Sequence, residues 1–383
     1  MTKQEKRAYF EAIQVRYRRA GKSRKTTILN EFCEVCGYHR KYALRLLNAP
    51  RYKRKRTAHK SGPVSRYNTP ELLTALRSIW MASDQLCSKR LKEALPLWLP
   101  HYESALQALP EGAHTLLKSI SAATIDRLLK PVRAEYKRKG LSGTKPGTLL
   151  KKQIPIQTGV WNVTQPGFME ADTVAHCGDS LAGDFVWSLT MTDICTGWTE
   201  CRSTWNKGAH GVIEQIKAIQ KALPFPLKGF DSDNGSEFLN WHLVNYFRDS
   251  KQPIQFTRSR PYHSNDNAHV EQKNWSCVRQ LFGYDRFADP RLVRLMNDLY
   301  ANEFSLLTNF FYPTLKLKSK SRVGSRWVKK YSTPVTPAQR LTDHPDVPQS
   351  TKDRLSAQAK TLNPFQLQKQ IQRKLKAIFK LVR

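Results

Sequence analysis

The chain has no long hydrophobic run. No stretch approaches the ~18 consecutive apolar residues of a membrane-spanning helix, so a membrane span is not expected. The first residues, Met1 to Phe10, are charged from the start and contain no apolar signal-peptide core, which leads to the expectation of a cytoplasmic protein. The seven cysteines are odd in number and show no disulfide framework. Cys33 and Cys36 make one C-x-x-C, but no second pair or His-x-His follows at zinc spacing. They share an apolar helix stripe with Ile28, Leu29 and Phe32, which favours small buried hydrophobes over a metal or redox pair. Acid is also scarce: 31 Asp and Glu stand against 64 Lys and Arg, a net charge of +33 over 383 residues. Such an excess repels itself unless a polyanion neutralises it, so nucleic acid is the leading partner. A membrane surface is disfavoured because no basic amphipathic helix with a strong apolar face stands out.

The charge is unevenly spread. Residues 1–60 carry 18 Lys and Arg against 4 Asp and Glu, and residues 313–340 carry 8 and none. Residues 165–240 reverse the balance, with 10 acids against 5 bases. Carboxylates repel a phosphate backbone unless a cation lies between them, and a divalent metal site would resolve that conflict. The alternative is a solvated acidic surface.

At the front, Ile28, Leu29, Phe32 and Val35 recur at helical spacing, Gly37 interrupts, and a second stripe follows at Ala43, Leu44, Leu46 and Leu47. Helix, glycine turn, helix is the helix-turn-helix pattern, with Arg40, Lys41 and Arg45 left on the polar face that would enter a major groove. An ordinary helical hairpin is the alternative. The run Arg51 to Arg56, including Arg54, Lys55 and Arg56, reads as a flexible basic linker for a phosphate backbone or minor groove, or as a solvated tail. Residues 70–138 are helical again. Pro70 and Glu71 open a stripe through Leu72, Leu73, Leu76 and Ile79, and Ser121 is an N-cap candidate before Ala122 to Leu129. Pro131 is expected to end or kink that helix. This segment could be a second helix-turn-helix exposing Thr124, Asp126 and Arg127, or a helical spacer. Gly140, Gly143, Pro146, Gly147 and Pro155 mark a linker.

From Phe168 the pattern changes to short strands rich in β-branched and aromatic residues: 168–177, 185–196 and 198–204, with a turn over 193–197. A helix is expected over 210–223, a strand over 227–230, a helix through Trp241, Val244 and Phe247, a strand over 254–256 and a last helix over 270–282. Three strands, helix, strand, helix, strand, helix implies a mixed α/β sheet with helices on both faces. Three carboxylates fall where such a sheet could gather them. Asp172 lies in the first strand, Asp233 follows the fourth in a turn with Gly235, and Glu271 sits near the start of the last helix.

The segments Glu170-Ala-Asp172-Thr, Ser232-Asp233-Asn-Gly-Ser-Glu-Phe238 and Pro261-Tyr-His-Ser-Asn-Asp-Asn-Ala-His-Val-Glu271-Gln-Lys-Asn274 occur in order, with 37 residues between Asp233 and Glu271. In this the chain resembles retroviral integrases and related bacterial insertion-sequence transposases, firmly over residues 165–285 and less specifically at its ends. The resemblance implies an RNase H-like core with Asp172, Asp233 and Glu271 as catalytic ligands of two Mg²⁺ or Mn²⁺ ions. It also implies double-stranded DNA as partner, both element ends and target, and self-association into a dimer or higher oligomer. The expected organisation is a helix-turn-helix domain with basic linker over 1–62, a second helical domain over 63–140, a linker over 141–164, the catalytic domain over 165–312, a small basic β-rich domain over 313–345 and a basic helical tail over 346–383. The expected function is a transposase that cleaves and joins DNA. A DNA-binding regulator with an inactive core and a plain RNase H-like nuclease are the alternatives.

Asp231 and Glu237 flank Asp233, and Glu237 is expected to begin the next helix, where an acid suits the helix dipole. Asp193 is expected to be structural, and Asp266 to belong to a loop over 264–267. His263, Asn267 and His269 could position DNA or be solvated. Lys273 and Asn274 are candidate DNA contacts. Residues 315–331 alternate basic and apolar positions, and 352–383 read as a basic helix that pairs with another subunit or wraps DNA.

Overall fold

The computed structural model describes residues 2–49, 66–67, 69–135, 163–233, 235, 237–250, 252–258, 273–323 and 326–382. The chain divides into two compact units, Met1–Ser65 and Arg66–Arg383.

The first unit has three helices, Lys3–Arg19, Lys22–Cys36 and Arg40–Asn48. Thr2 and Glu5 form a capping box: Glu5 N–H donates to Thr2 Oγ1 at 3.3 Å, and Thr2 N–H donates to Glu5 Oε2 at 2.7 Å. Gly37 ends the second helix at φ 66°, a left-handed position where a side chain would be strained. Ile13, Tyr17, Ile28, Leu29, Phe32, Cys36, Ala43 and Leu47 form the core. The expected apolar stripes are narrower than their sequence suggests. Val35 is 45% exposed because Ile28, Leu29, Phe32 and Cys36 fill the inner face of its helix, and Leu44 is 41% exposed because the short helix after it buries the single row Ala43 and Leu47.

The second unit is built on a five-stranded sheet in the order β3-β2-β1-β4-β5. Its strands are β1 (Phe168–Ala175), β2 (Val186–Asp193), β3 (Thr199–Trp205), β4 (Gly229–Ser232) and β5 (Gln255–Arg258). The first three are antiparallel neighbours; β4 and β5 add on in parallel to β1. Two helices cover one face, Ala209–Ala222 and Trp241–Arg248. Phe230 packs on Phe247 at 4.9 Å between ring centres. The other face is polar and meets the helical stretch Arg291–Leu299, Tyr300–Phe304 and Ser305–Phe311. Ser203 N–H donates to Asn297 at 2.6 Å, Ser188 bonds the Tyr300 hydroxyl at 2.9 Å, and Thr199 N–H donates to Asn309 at 2.9 Å. Asp193 closes its turn by accepting from Gly167 N–H at 2.8 Å and from Thr196 N–H and hydroxyl at 2.7 Å. The molecule is thus mixed α/β, with helices before and after the sheet.

The helices Pro70–Ala82, Ser88–Trp98, Ala113–Ser119 and Ala122–Glu135 share one hydrophobic core with the sheet and the C-terminal helices. Trp98 is fully buried, with its ring 6.3 Å from Phe311 and 5.0 Å from Phe365, and its indole N–H donates to the Phe311 carbonyl at 3.3 Å. Thr124 N–H donates to Ser121 Oγ at 3.1 Å, the capping expected of Ser121. The helix runs on through Pro131 to Glu135 rather than ending there. Proline removes a single i to i−4 bond, and Pro131 sits on the exposed side of the helix.

Beyond the sheet, β6 (Leu317–Val323) and β7 (Arg326–Tyr331) form a two-stranded antiparallel ribbon. The segment expected as a small β-rich domain is this ribbon followed by the helix Pro337–Asp343. Leu317, Val323, Val328 and Tyr331 are all exposed, since two strands alone have too little area to close a core. The helices Gln349–Thr361 and Pro364–Val382 complete the chain. The last packs inward through Ile371, Leu375 and Ile378, while Lys374 bridges Asp298 at 2.7 Å and Glu303 at 2.6 Å. Among the described residues, no helix is long and apolar enough to cross a membrane.

Candidate active site

Strand pairing builds the site. In the parallel register of β1 and β4, Ala171 lies opposite Ser232, so the next residue along each strand direction is Asp172 and Asp233. Adjacent strands lie about 4.8 Å apart, which brings the two carboxylates to one end of the sheet. Asp172 Oδ1 accepts from the Thr173 N–H at 2.7 Å, and its Oδ2 accepts from the Asn274 side-chain amide at 2.5 Å. Asp233 Oδ1 accepts from the Gly235 N–H at 3.0 Å.

Burial pushes the Asp172 carboxyl up to about 7, and the neighbouring Asp233 charge pushes the same way against the two hydrogen bonds. Burial also raises Asp233 to about 6, followed by the charge of Glu237, with the Gly235 N–H and Lys207 opposing. Each of these buried carboxyls also has a negative neighbour, Asp233 for Asp172 and Glu237 for Asp233, so together they make a pocket of negative potential that a divalent cation would relieve. The donors are hard oxygens, the set that Mg²⁺ and Mn²⁺ prefer. Two buried oxygens beside them, Glu237 Oε2 and Asn274 Oδ1, have no hydrogen-bond partner among the described residues. The residues therefore fit a divalent ion, although among the described residues no three His, Cys, Asp or Glu side chains form a ready cage.

Glu237 does not begin a helix as expected. The following helix starts at Trp241 behind an Asn240 cap, and Glu237 turns back towards β1. Its Oε1 accepts from the Thr173 hydroxyl at 2.7 Å, and its Oε2 lies 3.6 Å from Lys207 Nζ. Asp231 is buried opposite Glu170 and accepts from the Thr257 hydroxyl at 2.5 Å. Asn274 opens a helical stretch, Asn274–Arg279, wound with the wider i to i+5 turn. Such turns recur at functional sites.

No family profile matches the chain. The uncharacterized protein y4rM of Sinorhizobium fredii (strain NBRC 101917 / NGR234) is 40% identical over 342 residues, covering 86% of this chain and 93% of that protein. The chain belongs to the y4rM family. Among solved structures, a chain of the simian T-cell lymphotropic virus intasome in complex with PP2A regulatory subunit B56 gamma aligns at a TM-score of 0.31 and 14% identity. That alignment covers 54% of this chain and 66% of the other, just under two thirds of its length.

In this y4rM-family chain the structure brings Asp172 and Asp233 together. Glu271 lies outside the described residues, as do Arg54, Lys55, Arg56, His263, Asp266, Asn267 and His269. Asn274 meets Asp172 directly. Lys273 is half-buried, and burial holds its ammonium below the usual lysine range, with Arg90 and Arg340 adding to the effect. Thr124 accepts from Arg127 at 3.0 Å on the surface of the helix Ala122–Glu135. Arg40, Lys41 and Arg45 are exposed on the third helix of the first unit. Arg40 donates to the Asn30 side chain, and Arg45 lies over the Tyr42 ring at 5.2 Å. Sequence reasoning missed the inward role of Glu237 and the presence of Lys207. The one available signal was Gly235, two residues before Glu237, which marks a tight approach as well as a turn.

Proposed function

We propose that this chain is a transposase with an RNase H-like core, acting on double-stranded DNA in the cytoplasm. It binds the ends of a mobile element, cleaves phosphodiester bonds and joins the freed 3′-hydroxyls to target DNA. The observation that carries this reading is the parallel pairing of β1 with β4, which sets Asp172 beside Asp233 at one end of the sheet, where the Asp233 charge raises the proton affinity of Asp172. The excess of +33 and its concentration at both ends support a polyanionic partner.

Asp172 and Asp233 would hold Mg²⁺ or Mn²⁺, with Glu271 as the third carboxylate. Bound there, the two ions supply activation of the attacking oxygen and neutralisation of charge on the leaving oxygen. The chain's own residues orient and shield. The Thr173 N–H and the Asn274 amide fix both oxygens of Asp172, and the Gly235 N–H fixes one oxygen of Asp233. Burial limits water at both carboxylates. Recognition of DNA ends is assigned to Arg40, Lys41 and Arg45, to the linker residues Arg54, Lys55 and Arg56, and to Thr124 and Arg127, with two or more subunits gathered on DNA.

The test is a gel-shift titration paired with a strand-cleavage and joining time course on labelled end DNA in Mg²⁺ or Mn²⁺. Asp172→Asn, Asp233→Asn and Glu271→Gln should each abolish cleavage and joining together and leave binding intact. Full cleavage by any of the three removes that residue from the mechanism. Binding without cleavage by the native chain would favour an inactive regulator, and cleavage without joining a nuclease.

A further inference from the structure

We propose that Glu237 is a positioning residue of the acid pair: it braces the loop that carries Asp233 against β1 and sets the affinity of the pair for a divalent cation. The proposal rests on the reading of Asp172 and Asp233 as a metal site.

The geometry is a short chain of contacts. The Thr173 hydroxyl donates to Glu237 Oε1 at 2.7 Å, while the Thr173 N–H donates to Asp172 Oδ1 at 2.7 Å. Glu237 therefore holds the residue that holds Asp172. On the other side, Gly235 links Glu237 to Asp233. Its N–H donates to Asp233 Oδ1 at 3.0 Å. A Cβ at this glycine would lie 2.6 Å from Glu237 Cδ and 2.7 Å from both carboxylate oxygens. The loop can close over the Glu237 carboxylate only because residue 235 has no side chain.

A purely structural acid would be better satisfied. Glu237 is only 5% exposed, yet among the described residues its Oε2 accepts no hydrogen bond and has only the Lys207 ammonium at 3.6 Å. An ionised carboxylate kept this dry is costly unless a charge nearby rewards it. Lys207 is itself 42% exposed and also lies over the Trp187 ring at 5.0 Å, so it screens Glu237 in part. The remaining negative field falls on both aspartates, because Glu237 shares Thr173 with Asp172 and lies against the Gly235 turn that binds Asp233. A cation between them would meet that same field with the opposite sign. Among the described residues Glu237 does not form a three-carboxylate cage with the two aspartates, and its contacts run through Thr173 and Gly235, so it acts from behind them.

The experiment measures Mn²⁺ affinity of the full chain by calorimetry or by loss of the free-ion electron spin resonance signal, with circular dichroism on every variant. Outer residues that orient metal ligands typically change affinity ~10- to 100-fold when mutated. Glu237→Gln keeps an oxygen for the Thr173 hydroxyl but loses the charge; it should weaken Mn²⁺ by about tenfold or more with an unchanged fold. Gly235→Ala, which pushes Glu237 out of its cradle, and Thr173→Val, which removes one hydroxyl, should act in the same direction. Asp233→Asn is the control for the underlying reading. If Asp233→Asn abolishes Mn²⁺ binding while folded Glu237→Gln and Thr173→Val bind like the native chain, the positioning role is overturned. If Asp233→Asn itself binds Mn²⁺ normally, the metal reading of the site falls instead.

Discussion

Asp172 and Asp233 are held at a cost that pH exposes. Each binds its proton more tightly in the folded chain, at about 7 and about 6, than at the ordinary carboxylate value of 3.8. The folded state therefore binds more protons than the unfolded state over that interval, and stability falls as pH rises from 3.8 to about 7. Above about 7 the loss from Asp172 is complete. Thermal melts in chelator should show a penalty at pH 8 relative to pH 5 that Asp172→Asn reduces and that Mg²⁺ or Mn²⁺ relieves. An Asp172→Asn variant with the same pH slope as the native chain would show that this carboxyl ionises freely. At this scale the sequence revealed the two aspartates by their motifs and spacing. It did not reveal Glu237, because a carboxylate before a helix has the same letters whether it caps that helix or turns inward. Nor did it show the Asn274 contact with Asp172, which depends on two segments 102 residues apart in the chain.

Elements were legible where periodicity was strong. The strands 168–175, 186–193 and 199–205 and the helix over 209–222 carry clear period-two or period-3.6 patterns, and alternating strand and helix order points to β4 lying beside β1. What alternation cannot tell is which apolar stripe meets which. The helices between Pro70 and Glu135 have stripes compatible with a small domain of their own, yet these stripes join the main core. The tail is similar. Its basic composition suggests a free arm, but every third or fourth residue, Ile371, Leu375 and Ile378, is buried. Trp98 is where these parts meet, between Phe311 and Phe365. Trp98→Ala leaves a large cavity and an unpaired carbonyl at Phe311, and should destabilise the chain by ~3–5 kcal/mol. Denaturant unfolding checks this. A loss under about 1 kcal/mol, the size seen for a surface substitution, would mean that the helices from Pro70 to Glu135 fold apart from the sheet.

Over the whole molecule, charge separates two tasks. Acids concentrate in residues 165–240, which include Asp172 and Asp233, while bases crowd the first 60 residues and the segment 313–340. A chain of net +33 opposes its own association, and phosphates would remove that barrier, so subunits should gather on DNA and not in its absence. Light scattering with and without end DNA tests this. A monomer holding one DNA end while still joining strands would be incompatible with it. The same charge predicts a steep salt dependence. Each phosphate neutralised contributes about 0.9 to the slope of log Kobs against log salt on duplex DNA. If Arg54, Lys55 and Arg56 each meet a phosphate, changing all three to alanine lowers that slope by about 3, equally for element-end and scrambled DNA. Arg40→Ala or Arg45→Ala should behave differently. Losing a contact to a base edge costs ~1–3 kcal/mol on the cognate end and little on scrambled DNA. A titration of both DNAs at several salt concentrations separates the two behaviours. An unchanged slope in the triple variant would place the linker away from the backbone, and equal losses on both DNAs in the Arg40 or Arg45 variants would make the first unit a phosphate clamp instead of a reader.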